Sequence, residues 1–196
     1  LDFLRGVATM WRVSDDLWDT WPGLLEQFQR AARWAPHQSA AGYADLDMLP
    51  LGRLGIRAHV GTERDSRLSL AEQRTMLTLW AIARSPMMFG GHLPASDPRT
   101  VDLLTNDDVL AVQQRSSHNR EIIRDQSLVV WAAELDGAQV RAVFWLGDEP
   151  TTVRLHRDDL GVTEPRRVLD LWSGATQTAA DGWLSFPLDP HGATIL

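Results

Sequence analysis

Along the first hundred residues, stretches with apolar positions at helical spacing alternate with short continuous apolar runs. Residues 7–13 are such a run, bounded by Gly6 and a polar turn, and predict a strand. In residues 16–34, Leu17, Trp21, Leu24, Leu25, Phe28, Ala31 and Ala32 repeat with the helical period, which predicts an amphipathic helix ending before Pro36. Gly42-Tyr43-Ala44-Asp45 then leads into a short segment at residues 47–51. An Arg-rich, Gly-punctuated loop over residues 52–67 follows, of a length that compact domains usually keep for function. Ser69-Leu70-Ala71-Glu72 is a capping box, in which hydroxyl and carboxylate satisfy each other's backbone donors, and it opens a helix to residue 83. Residues 86–90 read as a short buried strand and Gly90-Gly91 as a sharp turn. Asp97-Pro98 and Asn106 start two more helices, running to residues 104 and 114.

From residue 116 alternation replaces helical spacing. Residues 127–135, 139–146, 152–156, 167–172, 183–187 and 193–196 are strand-like, and Asp136-Gly137 is a hairpin signal. Strands alternating with helices, then strands alone, predict two domains: a parallel α/β piece over residues 1–115 and an antiparallel β-sandwich over residues 116–196. Periodicity by itself does not distinguish a barrel piece from an open doubly wound sheet.

Composition narrows the chemistry. With 196 residues, 44% of them hydrophobic, the chain can bury a core. The net charge is −7 and all 19 basic residues are Arg, which argues against nucleic acid or an anionic membrane as partner. The absence of Cys excludes disulfides and Cys-based zinc sites, and the six His show no metal-ligand spacing. No phosphate-cradling Gly loop or nucleophile elbow occurs, so neither metal nor cofactor is expected. No apolar run reaches the roughly 18 residues of a membrane span. The chain begins at Leu1 in what reads as a helix tail over residues 1–6, so the true N-terminus is expected upstream. The compartment, secreted or cytoplasmic, is left open, and so is the oligomeric state.

The stretch Met10-Trp11-Arg12-Val13-Ser14-Asp15-Asp16 carries the candidate chemistry. It reads as the carboxyl end of a strand, the edge at which α/β proteins bind ligands. Arg12 and Asp16, four apart across the turn, can face one pocket, the Arg as a hydrogen-bond fork and the Asp as proton donor or acceptor. By residue type alone the same stretch also reads as a helix start. Ser14 or Asp15 is then the cap, Asp16 and Asp19 complement the dipole, and Arg12 is a surface ion-pair partner.

Trp11-Arg12 with Asp16 and Trp21, the segment Asp45-Leu46-Asp47-Met48-Leu49-Pro50-Leu51-Gly52, and Glu72-Gln73-Arg74 with Leu79-Trp80-Ala81-Ile82-Ala83-Arg84-Ser85-Pro86-Met87-Met88-Phe89-Gly90-Gly91 occur in one order and spacing. Together they closely resemble the carboxyl-terminal half of the α-galactosidase (melibiase) family of retaining glycoside hydrolases. The resemblance implies strands six to eight, with their helices, of a (β/α)8 TIM barrel, followed by the sandwich. It implies a retaining exo-glycosidase that hydrolyses terminal α-D-galactosyl residues, with a carbohydrate as its partner. Retaining hydrolysis uses two carboxylates about 5–5.5 Å apart. By resemblance Asp16 is the general acid/base, Arg12 hydrogen-bonds sugar hydroxyls, Asp47 and Met48 close the sugar pocket, and Asp45 orders the loop.

The family's nucleophile is the Asp of a Lys-x-Asp motif, and this chain contains no Lys. The chain is therefore expected to be an inactive fragment of the enzyme. Gly90-Gly91-His92-Leu93 departs from the family's Gly-Gly-Asp-Leu and removes a rim carboxylate. Pro190-His191-Gly192 resembles the last sandwich strand and is read as a structural turn. Sugar rings rest on flat aromatic faces, so one of Trp11, Trp18 and Trp21 is expected at the pocket, with Trp11 named as a substrate-binding candidate. Trp80 is assigned to the core, and Trp131, Trp145, Trp172 and Trp183 to the sandwich interior. α-N-acetylgalactosaminidase and β-L-arabinopyranosidase of the same family, and a noncatalytic carbohydrate-binding module, are the alternatives.

Overall fold

Short parallel segments joined through helices make the first half of the computed structural model, which describes residues 3, 7–39, 42–58, 61–162, 167–179 and 181–196. β1 (Met10–Arg12) pairs in parallel with β2 (Tyr43–Asp45), Arg12 opposite Asp45, and a parallel bridge joins Leu49 to Phe89. Parallel neighbours need a crossover connection, and α1 (Trp21–Trp34) supplies it. The strand expected over residues 7–13 is thus shorter, Val7 being helical. The helix tail expected over residues 1–6 lies, apart from Phe3, outside the described residues. The short segment at residues 47–51 follows β2 and carries the Leu49 bridge. α1 begins at Trp21, not at Asp16, because Pro22 has no N–H and its ring collides with a preceding turn, so a helix admits it only at its start. Leu24, Phe28 and Ala31 of the expected stripe are buried.

The long loop contains a hairpin of β3 (Arg53–Leu54) and β4 (Arg64–Asp65). α2 (Leu70–Ile82) opens with the capping box: Ser69 Oγ accepts the Glu72 N–H at 3.2 Å, and Glu72 Oε2 accepts the Ser69 N–H at 2.7 Å. Residues 75–82 of α2 are all buried, not only the stripe of Met76, Leu79 and Trp80. A helix apolar all round needs neighbours all round, and α2 lies between the barrel segments and the sandwich. α3 (Pro98–Leu104) and α4 (Asp107–Arg115) are capped by Asp97 and Asn106, whose side chains accept the N–H groups of Thr100 and Val109.

The antiparallel strands are β5 (Ser117–Asp125), β6 (Leu128–Leu135), β7 (Ala138–Trp145), β8 (Thr151–His156), β9 (Val168–Leu169), β10 (Thr176–Gln177), β11 (Trp183–Leu188) and β12 (Ala193–Ile195). One sheet has the order β12-β7-β6-β5, while β8 pairs with β11 and β9 with β10. The β6–β7 turn is Asp136-Gly137, both at positive φ (51° and 84°), as a two-residue hairpin that follows strand twist requires. β6 and β7 are buried on both faces. Trp131, Ala133, Ala142 and Phe144 join the core of α1, α2 and α4, and Val130 and Val143 pack with Val153, Leu155, Leu184 and Phe186. Phe28 of α1 meets Phe144 of β7 edge-on, ring centroids 5.0 Å apart, so barrel segments and sandwich share one apolar core.

Trp131 is core, but Trp183 is not. β11 turns Leu184, Phe186 and Leu188 inward, which sends Trp183 to the outer face, 43% exposed beneath the Arg154 guanidinium. Trp172 is half-buried and donates Nε1–H to Thr78 Oγ1 of α2 at 2.8 Å. Trp145 is half-buried and donates to the Glu149 carbonyl at 2.7 Å.

Candidate active site

Asp47 is where the predicted residues converge. It follows β2, is 5% exposed, and its Oδ2 lies 2.5 Å from Arg12 Nη2 and accepts the Leu17 N–H at 2.5 Å. Oδ1 accepts the Met48 N–H at 2.6 Å, and the Asp47 carbonyl accepts Nε1–H of buried Trp80 at 2.9 Å. Asp45 sits directly behind: its Oδ1 accepts the Asp47 N–H at 2.8 Å, the loop-ordering role expected of it, and its carbonyl takes the Val13 N–H at 3.0 Å. The Asp47 backbone has φ 89°, in the left-handed region that residues with a side chain rarely enter. Such an outlier persists where surrounding bonds over-determine it, and those bonds gather at this carboxylate.

Arg12 is the last residue of β1 and adjoins Asp47 because the two strands are parallel neighbours. Its Nη2 also reaches Asp16 Oδ1 and the Asp15 carbonyl, both at 3.4 Å. Asp16 lies in the irregular loop between β1 and α1, its side chain 84% exposed. The structure therefore brings Arg12, Asp16, Asp47 and Met48 to one rim. Gly90, past the Leu49–Phe89 bridge, lets the chain pass close to Met48: a Cβ there would stand 2.7 Å from the Met48 sulfur. At Gly91 a Cβ would stand 2.2 Å from the Leu51 carbonyl oxygen, so close approach is what the Gly pair provides.

Trp11 lies apart from the other site candidates. Successive strand residues point to opposite faces, and with Arg12 at the site Trp11 turns to the helix side, against Trp34 (6.5 Å) and the backbone of Gly42. Trp21 is also turned away, stacked at 3.8 Å on His191. Trp18, 43% exposed in the Asp16 loop, is the one of the three left open to solvent near the rim. His191 is more than a turn residue: Nδ1 lies 2.8 Å from Glu72 Oε1 and Nε2 2.9 Å from Asp148 Oδ1. His92 is exposed, and its N–H donates to the Arg53 carbonyl at 2.7 Å.

Sequence reasoning missed Asp19 and Arg64. Asp19, 1% exposed, accepts both prongs of the Arg64 guanidinium and the Arg67 N–H, the latter at 2.9 Å. Burial opposes its charge, yet the Arg64 fork and the Arg67 N–H outweigh that and hold its carboxyl below the usual carboxylate range. The Arg-rich composition of residues 52–67 was the available signal.

The sequence model of α-galactosidase A matches residues 2–115, and that of the α-galactosidase C-terminal β-sandwich domain matches residues 125–196. An α-galactosidase of rice, Oryza sativa, is 28% identical over 94% of this chain and 42% of its own length. The crystal structure of a β-L-arabinopyranosidase from Geobacillus stearothermophilus superimposes with a TM-score of 0.92 at 38% identity, over 99% of this chain and 45% of that one. A variant of that enzyme in complex with arabinose gives 0.92 at 39%, over 99% and 46%. The chain thus spans less than half the length of these relatives. With more than half of its residues matched by one family model and the rest of its fold superimposing on the same group, the chain belongs to the α-galactosidase (melibiase) family of glycoside hydrolases.

Proposed function

We propose that the complete enzyme carrying this chain is a retaining exo-glycosidase acting on terminal α-D-galactosyl residues, with Asp16 as its general acid/base. The observation that carries the reading is the convergence at Asp47. A buried carboxylate, a guanidinium and an exposed carboxylate, drawn from two neighbouring parallel strand ends, gather where α/β barrels hold their chemistry. Arg12 faces both Asp47 and Asp16 through Nη2, and the N–H groups on its Nε and Nη1 are the donors for sugar hydroxyls. Met48 supplies an apolar wall beside them. The nucleophile comes from a Lys-x-Asp motif outside these 196 residues. That carboxylate attacks the anomeric carbon as Asp16 protonates the departing oxygen. Asp16 then takes a proton from water, which attacks the same carbon and releases the sugar with configuration retained.

A second reading has specific support in the 38% identity to a β-L-arabinopyranosidase. β-L-Arabinopyranose has the ring-hydroxyl arrangement of α-D-galactose without the hydroxymethyl group, so one acid/base and one Arg serve both sugars. The ratio of kcat/KM for aryl α-D-galactopyranoside and aryl β-L-arabinopyranoside decides between them. In the complete enzyme Asp16→Asn should lose about 10²–10⁴-fold on substrates with poor leaving groups, and much less on activated aryl glycosides. On the latter, azide should accelerate turnover and yield the glycosyl azide of retained configuration, since azide needs no general base. Equal loss on both substrate classes, with no azide effect, would remove Asp16 from the acid/base role.

A further inference from the structure

The β3–β4 hairpin ties together three loops of the barrel rim. Past β2, the Ser66 N–H donates to the Gly52 carbonyl and its hydroxyl to the Pro50 carbonyl, each at 2.8 Å. Beyond Phe89, the Arg53 N–H donates to Ser96 Oγ at 3.2 Å and the Arg53 carbonyl accepts the His92 N–H at 2.7 Å. The hairpin is stiffened across its width by Arg53, which bonds Glu63 at 2.9 Å and Asp65 at 3.3 Å. The third tie runs to the loop that carries Asp16. Arg64 Nε donates to Asp19 Oδ2 at 3.2 Å, Nη2 donates to Oδ1, and the Arg67 N–H donates to Oδ2 at 2.9 Å.

The loop over residues 14–20 has no regular secondary structure of its own. On its inner side Leu17 is buried and its N–H is held by Asp47; on its outer side Asp19 is buried and held by Arg64. Asp16 sits next to the inner tie and, among the described residues, its side chain bonds Arg12 alone, at a long 3.4 Å, so the backbone ties largely set where its carboxyl points. We propose that Arg64 and Asp19 are positioning residues, the hairpin bracing the rim so that the Asp16 carboxyl meets the leaving-group oxygen. The proposal rests on Asp16 being the acid/base. Without the guanidinium, Asp19 is a buried carboxylate lacking its charge partner, and the outer half of the loop is driven toward water. Proton transfer is intolerant of such displacement, since a misplacement of about 1 Å can cost on the order of 10²-fold.

The test uses the complete enzyme, with kcat/KM measured over a series of glycosides whose leaving groups run from alkoxide to dinitrophenolate. Arg64→Gln should lose about 10–10²-fold on the alkoxides and less than about threefold on the dinitrophenyl glycoside. Arg64→Lys, which keeps the charge without the fork, should fall between Arg64→Gln and wild type, and it carries the test if Arg64→Gln does not fold. A purely structural pair would lower all substrates equally, or only the melting temperature, and either result overturns the proposal, as does an unchanged profile. Asp16→Asn is run in parallel. If it lacks leaving-group dependence, the acid/base reading fails and the proposal falls with it. If it has that dependence and the Arg64 variants do not, only the positioning role fails.

Discussion

Asp47 concentrates what the site demands of one residue. Its left-handed backbone costs a residue with a Cβ about 1–2 kcal/mol, and its carboxylate offsets this by accepting the N–H groups of Leu17 and Met48 while pairing with Arg12. Replacement separates the two effects. Asp47→Gly removes both the carboxylate and the backbone strain, whereas Asp47→Ala removes the carboxylate and keeps the strain. In denaturant titrations the Gly variant should be more stable than the Ala variant by about 1 kcal/mol, while both lose activity by at least roughly 10²-fold. An Ala variant as stable as the Gly variant would mean that the backbone carries no strain here. At this scale the place of Arg12 at the end of β1 was legible from the strand-like run, whereas that of Asp47 came from the family resemblance alone. Trp11 lies on the face opposite Arg12, where the strand's alternation puts it, and no apolar pattern in so short a strand announces which face that is. Asp19 was passed over because an acidic residue just before a helix looks like a complement to the helix dipole.

Elements were legible where a local rule decides them and not where neighbours do. The capping box at Ser69, the Asp97 and Asn106 caps and the Asp136-Gly137 turn are local chemistry, and all stand where the sequence puts them. The start of α1 was also written locally, in Pro22, but the period of the apolar stripe ran past it to Leu17. The all-round burial of α2 was hidden, because a stripe reports one neighbour and α2 has two. The hairpin in residues 52–67 was hidden because two-residue strands leave no periodicity, and its Arg64–Asp19 tie joins residues 45 apart. That tie has a pH signature. A carboxyl whose folded pKa lies below its unfolded value, about 4, contributes stability that is fully present above that value and is lost as pH falls through the lower folded one. Asp19→Asn should therefore be less stable than wild type at neutral pH, with the gap closing below about pH 4 in a series of denaturant titrations. A gap unchanged down to about pH 2 would show that shape, not charge, holds the hairpin to the loop.

The division into barrel segments and sandwich was legible from the change of periodicity, but periodicity says nothing of how two parts meet. They meet through α2 and through Phe28 and Phe144. One face of the β12-β7-β6-β5 sheet, with Trp131, Ala142, Phe144 and Ile195, has its apolar partners in α1, α2 and α4 instead of in a second sheet. Cut near residue 116, that face would lie bare, so the sandwich is not a detachable module and the parts should unfold together. Phe28 and Phe144 give the test, since one belongs to a barrel helix and the other to a sandwich strand. Both are fully buried, so Phe28→Ala and Phe144→Ala should each destabilise the complete enzyme by about 3–5 kcal/mol. Because the rings touch edge-on, the double variant should fall short of the sum by about 0.5–1.5 kcal/mol. All three variants should move one and the same thermal transition. If melting instead splits into two steps, with Phe28→Ala moving only one and Phe144→Ala only the other, the core is divided after all, and the junction around α2 is a contact between two independently stable bodies.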